Sequence, residues 1–108
     1  MELSKAATEL VDEYRRTPGA EPLGFTRTAV YRQFIEAAEL AGFTGPDVEM
    51  DSKFAARSPE WVARASEEEL RRYLHTLIRS DRWNGEYPSA LLEACNGGQI
   101  AALARRRL

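Results

Sequence analysis

Apolar residues recur at helical spacing in several separate stretches of this chain, and too few alternate to support a sheet. In the first stretch Leu3, Ala6, Ala7, Leu10, Val11 and Tyr14 share one face, while Glu9, Asp12, Glu13 and Arg16 fall largely elsewhere. Thr17-Pro18-Gly19 then ends that helix, proline by lacking an N–H and glycine by its conformational freedom. A second helix is predicted from Thr28 to Ala41, with Val30, Phe34, Ile35, Ala38 and Ala41 facing inward. Gly42 is placed to take the left-handed position behind it, with Phe43 following as an apolar anchor.

Residues 44–57 break the pattern. Gly45-Pro46-Asp47 marks a turn, and Val48-Glu49-Met50 is short enough to be extended without forming a sheet. Ser58-Pro59-Glu60 then opens a short helix, with a capping oxygen and a proline at the first helical position; Trp61 and Val62 would cover one side of it. Ser66-Glu67-Glu68-Glu69 is a stronger start, because Ser66 and Glu69 have the spacing of a reciprocal capping box. Leu70, Tyr73, Leu74, Leu77 and Ile78 form the apolar stripe of the helix that follows. Tyr87-Pro88 begins another helix carrying Leu91, Leu92 and Cys95, which Asn96-Gly97-Gly98 stops. A last short helix from Gln99 inserts Ile100 and Leu103. The fold expected is all-α: one small domain over residues 1–108, a compact bundle of four or five short helices with a longer loop around residues 43–58.

Composition supports a folded domain and narrows its chemistry. Hydrophobic residues make up 44% and charged residues 30% of 108, which is enough apolar material for a core. The net charge of -2 argues against broad nucleic-acid affinity, since phosphate contacts require an excess of cations. Arg105-Arg106-Arg107 is the one basic run; it complements the dipole of the last helix or offers a local anion site. The single cysteine, Cys95, excludes an internal disulfide and reads as a small core residue. Met1-Glu2-Leu3-Ser4-Lys5 starts no long apolar run and no later segment is long enough to span a bilayer, so a cytoplasmic location without membrane association is expected.

The C-terminal pattern of Arg79, Arg82-Trp83-Asn84-Gly85, Gly98, Ile100 and Leu103 resembles the DUF6508 family of small bacterial proteins. In that family a helix enters an Arg-aromatic-x-x-Gly segment, and a second helix, a glycine turn and an Ile-containing terminal helix follow. The resemblance spans roughly residues 66–107, with Trp83 where members often carry Phe. It implies a helical fold and brings no activity with it.

Three groups of residues invite a functional reading. His75 is the only histidine, and at four-residue spacing it shares a helix side with Arg71 and Arg79; Arg82 joins them if the helix runs on one turn. His75, Arg79 and Arg82 are therefore the anion-binding candidates, because several guanidinium groups can clamp a phosphate or carboxylate. Trp61, Tyr73, Trp83 and Tyr87 are the interaction candidates, being aromatic residues of the kind enriched in binding hot spots. Arg27, Tyr31 and Arg32 are nucleic-acid candidates at the start of the second helix, although Glu36 and Glu39 follow closely. No metal-ligand spacing, nucleophile elbow or phosphate-binding glycine loop is present, so no metal, cofactor or catalytic residue is assigned. The reading favoured is a protein-interaction or regulatory module without catalysis, with a protein partner or self-association as a homodimer. The alternatives are an anion or phosphorylated-ligand binder, which would include a small enzyme, and a nucleic-acid-binding accessory protein.

Overall fold

In the computed structural model of the chain, residues 2–16, 29–84 and 90–106 are described, except for the side chains of residues 82–84. Helix α1 (Leu3–Arg16) buries Leu3, Ala6, Ala7, Leu10 and Val11, the face that its spacing predicts. Arg15 and Arg16 stand in its last turn, where positive charge complements the exposed carbonyls.

Helix α2 (Ala29–Leu40) is rotated relative to its predicted face. It buries Tyr31, Phe34, Ala37 and Ala38, whereas Val30 and Ile35 are only partly covered and Ala41 is exposed. Tyr31 causes the difference: its ring enters the core and its hydroxyl donates to Asp81 Oδ2, so an amphipathic side chain takes a position that a purely apolar count gives to its neighbours. The end of α2 is as expected. Gly42 has φ 79°, its N–H donates to Glu39 O at 3.1 Å, and Phe43 N–H donates to Ala38 O at 2.8 Å. These are the paired bonds of a left-handed helix stop, and Phe43 behind them is buried.

The connection from residue 43 to residue 58 contains turns and a short 3-10 turn, Phe54–Ala56. Residues 48–50 pair with no strand, and no strand occurs among the described residues. Helix α3 (Pro59–Arg64) begins as its sequence indicates, with Trp61 N–H donating to Ser58 Oγ at 3.1 Å and proline in the first turn. Helix α4 (Glu67–Asn84) opens with the full reciprocal cap: Glu69 N–H donates to Ser66 Oγ at 3.1 Å, and Ser66 N–H to Glu69 Oε1 at 2.9 Å. Within the described residues α5 covers Ala90–Gly97, and α6 covers Gln99–Ala104 after Gly98 in a left-handed conformation at φ 91°.

The apolar core lies where α1 meets α2 and α6, where α6 meets α3 and α5, and where α4 meets α5. Phe34, Leu10, Leu70, Leu74, Ile78, Leu91, Ile100 and Leu103 are fully enclosed there. Each such side chain contributes roughly 2 kcal/mol of transfer free energy, so this cluster is the main source of stability. The C-terminal basic run serves it in an unexpected way. Arg106 Nη1 donates to Val62 O and Ala65 O, which satisfies carbonyls at the end of α3 rather than of its own helix. Ser4 Oγ in turn donates to Arg106 O, joining the two ends of the described chain.

The cap on α4 yields a pH-dependent expectation. Bonds from the Ser66 backbone and side chain hold the Glu69 carboxyl below its ordinary range. A depressed folded-state pKa adds stability above the unfolded carboxylate value and loses it as pH falls through the folded value. Chemical denaturation should therefore show Glu69→Ala less stable than wild type at pH 7, the gap closing as pH drops below the ordinary value of 4.5. Ser66→Ala should cost about 1 kcal/mol at neutral pH.

Candidate functional site

Six consecutive residues of α4, Tyr73 to Ile78, are buried, so this helix is covered on its polar side as well as on its apolar stripe. His75 and Thr76 lie on that polar side, and a buried polar group needs a partner. The 43–58 connection supplies partners to both. His75 Nδ1 is 2.9 Å from Thr44 Oγ1 and 3.4 Å from Gly45 N. Thr76 Oγ1 accepts from Asp51 N–H at 2.7 Å and donates to Arg72 O at 2.7 Å.

Asp51 is the node of the connection. It is buried, and its carboxylate accepts from Arg57 Nε and Arg57 Nη2, both at 3.1 Å, and from Lys53 N–H at 3.0 Å. The two-point pairing fixes the guanidinium plane and holds the Arg57 pKa above its ordinary value. Arg57 also lies over the Trp61 ring at 4.1 Å, and Trp61 meets Tyr73 edge-on with ring centres 5.6 Å apart. Gln99 Nε2 donates to Arg57 O at 2.9 Å, tying the start of α6 to the same turn.

Beneath this fastening is a half-open cavity of about 320 Å³. Tyr73, Leu77 and Ser80 line it from one face of α4, Phe54 from the 3-10 turn, Glu93 from α5 and Gln99 from α6. Burial first, then the Asp51 carboxylate, push the Tyr73 phenol well above its ordinary range, so it remains an O–H. The Cys95 thiol is pushed up to about 12, mainly by burial and then by Asp81, which leaves it without thiolate at neutral pH. A second groove of about 270 Å³, lined by Lys53, Arg57, Glu69 and Arg72, opens beside the same connection. Its two arginines are matched within the chain: Arg57 by Asp51, and Arg72 by Glu49 at 3.4 Å and Glu68 at 3.7 Å.

The sequence candidates scatter. His75 is buried against Thr44 and Gly45 rather than presented at the surface, while Arg79 is exposed. Arg71, on the same helix side, donates to Gly42 O at 2.9 Å and pairs with Glu68 at 2.9 Å and Glu67 at 3.5 Å. The side chains of Arg82 and Trp83 lie outside the described residues, as do Tyr87 and Arg27. Tyr73 is a core residue bordering the cavity and Trp61 is partly buried under Arg57, so neither stands out as an open aromatic surface. Tyr31 is committed to the core and to Asp81, which removes it from a groove-reading role; Arg32 beside it is exposed.

Asp81 joins three elements: it accepts from Tyr31 Oη of α2 and from Ala90 N–H and Leu91 N–H at the start of α5. Asp51, Phe54, Arg57 and Gln99 were not singled out by sequence, because no local spacing connects them. Gln99 and Arg57 are 42 positions apart. Among the described residues no three His, Cys, Asp or Glu side chains gather as a metal ion requires, and no helix is long and apolar enough to cross a membrane. Comparison of the chain with family models, with curated proteins and with solved structures found no match.

Gly97 tests the Gln99 tether. A Cβ at this position would lie 2.3 Å from Gln99 Oε1, so the Gln99 side chain must swing away to admit one. Alanine gains up to about 1 kcal/mol of helix propensity, and the lost hydrogen bond costs about as much. Gly97→Ala should therefore leave the Tm within a few degrees of wild type (~1 kcal/mol of net change at most), while NMR shows the Gln99 side-chain amide protons exchanging at solvent-exposed rates.

Proposed function

We propose that the protein is an interaction or regulatory module that works by binding, without catalysis, and that the cavity under the 3-10 turn is its recognition site. One observation carries this reading: Phe54, Leu77 and three alanines give the cavity apolar wall, and Tyr73, Ser80, Glu93 and Gln99 give it polar wall in about equal measure, so a group held there meets both apolar surface and several hydrogen-bonding partners. The placement of reactive groups favours binding over catalysis. His75 is engaged by the connection, and the Cys95 thiol is buried and protonated. Resemblance to the DUF6508 family is consistent with the helical fold and adds no chemistry, so the functional reading rests on geometry alone.

Self-association is the second form of this reading. Leu40, 81% exposed, and Met50, 52% exposed, are the large apolar side chains left open among the described residues. A fragment screen followed by amide chemical shifts, run at two protein concentrations, separates the two forms. Ligand recognition predicts hits that shift Leu77, Ser80 and Glu93 in wild type and vanish in Ser80→Trp, whose indole fills the cavity from the partly exposed face of α4. Hits that survive Ser80→Trp, or concentration-dependent shifts confined to Leu40 and Met50, would count against the cavity.

A further inference from the structure

The groove beside the 43–58 connection shares no lining residue with the cavity under the 3-10 turn. Lys53 and Arg57 bring cations to it from the connection, and Arg72 brings one from α4. These cations are not equally spent. Arg57 gives Nε and Nη2 to Asp51, which closes that pair. The exposed Lys53 ammonium has no partner among the described residues, nor has the hydroxyl of Ser52 next to it in the groove wall. Arg72 is only loosely held: its Nε–H is buried without a hydrogen-bond acceptor, with Glu68 3.7 Å away and Glu49 3.4 Å from Nη2. Both carboxylates are mostly exposed, and Glu68 also serves Arg71 at 2.9 Å, so the hold of these pairs is weak. The carboxylates of the groove wall are already engaged, Asp51 by Arg57 and Lys53 N–H, and Glu69 by Ser66 N–H.

An ammonium, a guanidinium and a hydroxyl on three separate residues are donors in search of an acceptor. A planar carboxylate is satisfied by one guanidinium, whereas a phosphate group has several oxygens and more than one charge to share among such donors. The same groove carries an apolar element, Met50, which is 52% exposed. We infer that the groove is a binding site for a small phosphomonoester, its phosphate taken by Lys53, Arg72 and Ser52 and its organic part laid against Met50. Lys53 belongs to the connection and Arg72 to α4, so the bound phosphate bridges the two elements that the Asp51–Arg57 pair fastens. This site goes beyond the recognition cavity and does not rest on it.

Chemical-shift titrations of the full chain with phenyl phosphate, benzoate and inorganic phosphate, at fixed pH and ionic strength, test this. Phenyl phosphate and benzoate share a ring and differ in the head group, while inorganic phosphate lacks the ring. Phenyl phosphate should give saturable shifts at the amides of Ser52, Lys53 and Arg57, and bind about fivefold more tightly than benzoate, the scale of one exposed ion pair. Lys53→Gln and Arg72→Gln should each weaken it by about the same factor. Lys5→Gln, which removes an exposed lysine on α1, and Ser80→Trp, which fills the other cavity, should leave it unchanged. Equal binding of benzoate, an equal loss in Lys5→Gln, or no shift in the groove overturns the phosphate site and leaves the recognition cavity standing. Inorganic phosphate binding as tightly as phenyl phosphate overturns the organic part in favour of free phosphate. Loss of the shifts in Ser80→Trp overturns the groove in favour of the cavity.

Discussion

The two-point ion pair between Asp51 and Arg57 is the interaction on which the arrangement around α4 depends. After Phe43 the 43–58 connection contributes one further apolar anchor, Phe54, which is mostly covered against the core, while Met50 is exposed. Hydrogen bonds to α4 hold it in place, and such bonds need defined geometry at both ends. Asp51 provides that geometry: its backbone N–H meets Thr76, its carboxylate takes Arg57 and Lys53 N–H, and its carbonyl accepts from Phe54 N–H at 3.2 Å. Each buried polar group left unmatched would cost about 1–3 kcal/mol, so His75 and Thr76 on α4 and the connection above them stabilise one another or fail together.

The molecule therefore has two halves of different physical character. One is a conventional apolar core, in which α1, α2, α6 and the apolar stripe of α4 bury leucine, alanine and aromatic side chains and small shifts of backbone are resisted by close packing. The other is a polar fastening of one turn-rich connection to one helix, with Trp61 and Tyr73 at its base. The cavity lies at the seam, with walls on α4, α5 and α6 and the 3-10 turn over it. Its walls belong to packed helices, and its cover is a turn held by its own hydrogen bonds.

What could be read from the sequence follows the range of each interaction. The caps at Ser58 and Ser66, and the stop at Gly42 with Phe43 behind it, involve partners within five positions and are written directly into the chain. The apolar faces of α1 and α4 follow from spacing in the same way. Spacing does not say what covers a helix's other side. His75, grouped by spacing with Arg71 and Arg79, instead joins Arg71 in holding the 42–45 turn. Tyr31 appears polar at a helix start but serves as a core residue with one bond to Asp81. Arg106, read as complementing its own helix, closes the end of α3 more than forty positions earlier. The cavity itself is lined from the 3-10 turn, α4, α5 and α6, whose side chains Phe54, Tyr73, Glu93 and Gln99 come together only once the chain is folded.

Native-state hydrogen exchange on Asp51→Asn compared with wild type tests the central claim most directly. Asparagine is close in shape but cannot accept both Arg57 bonds as a carboxylate does. If the ion pair fastens the connection, the amides of Phe54, Ala56 and Arg57, which close the 3-10 turn, should lose protection, while those of Leu10, Leu74 and Ile100 in the core keep theirs. Unchanged protection across the turn, or a uniform loss throughout the molecule, would contradict the claim that this pair holds a locally fastened connection against a core that stands without it.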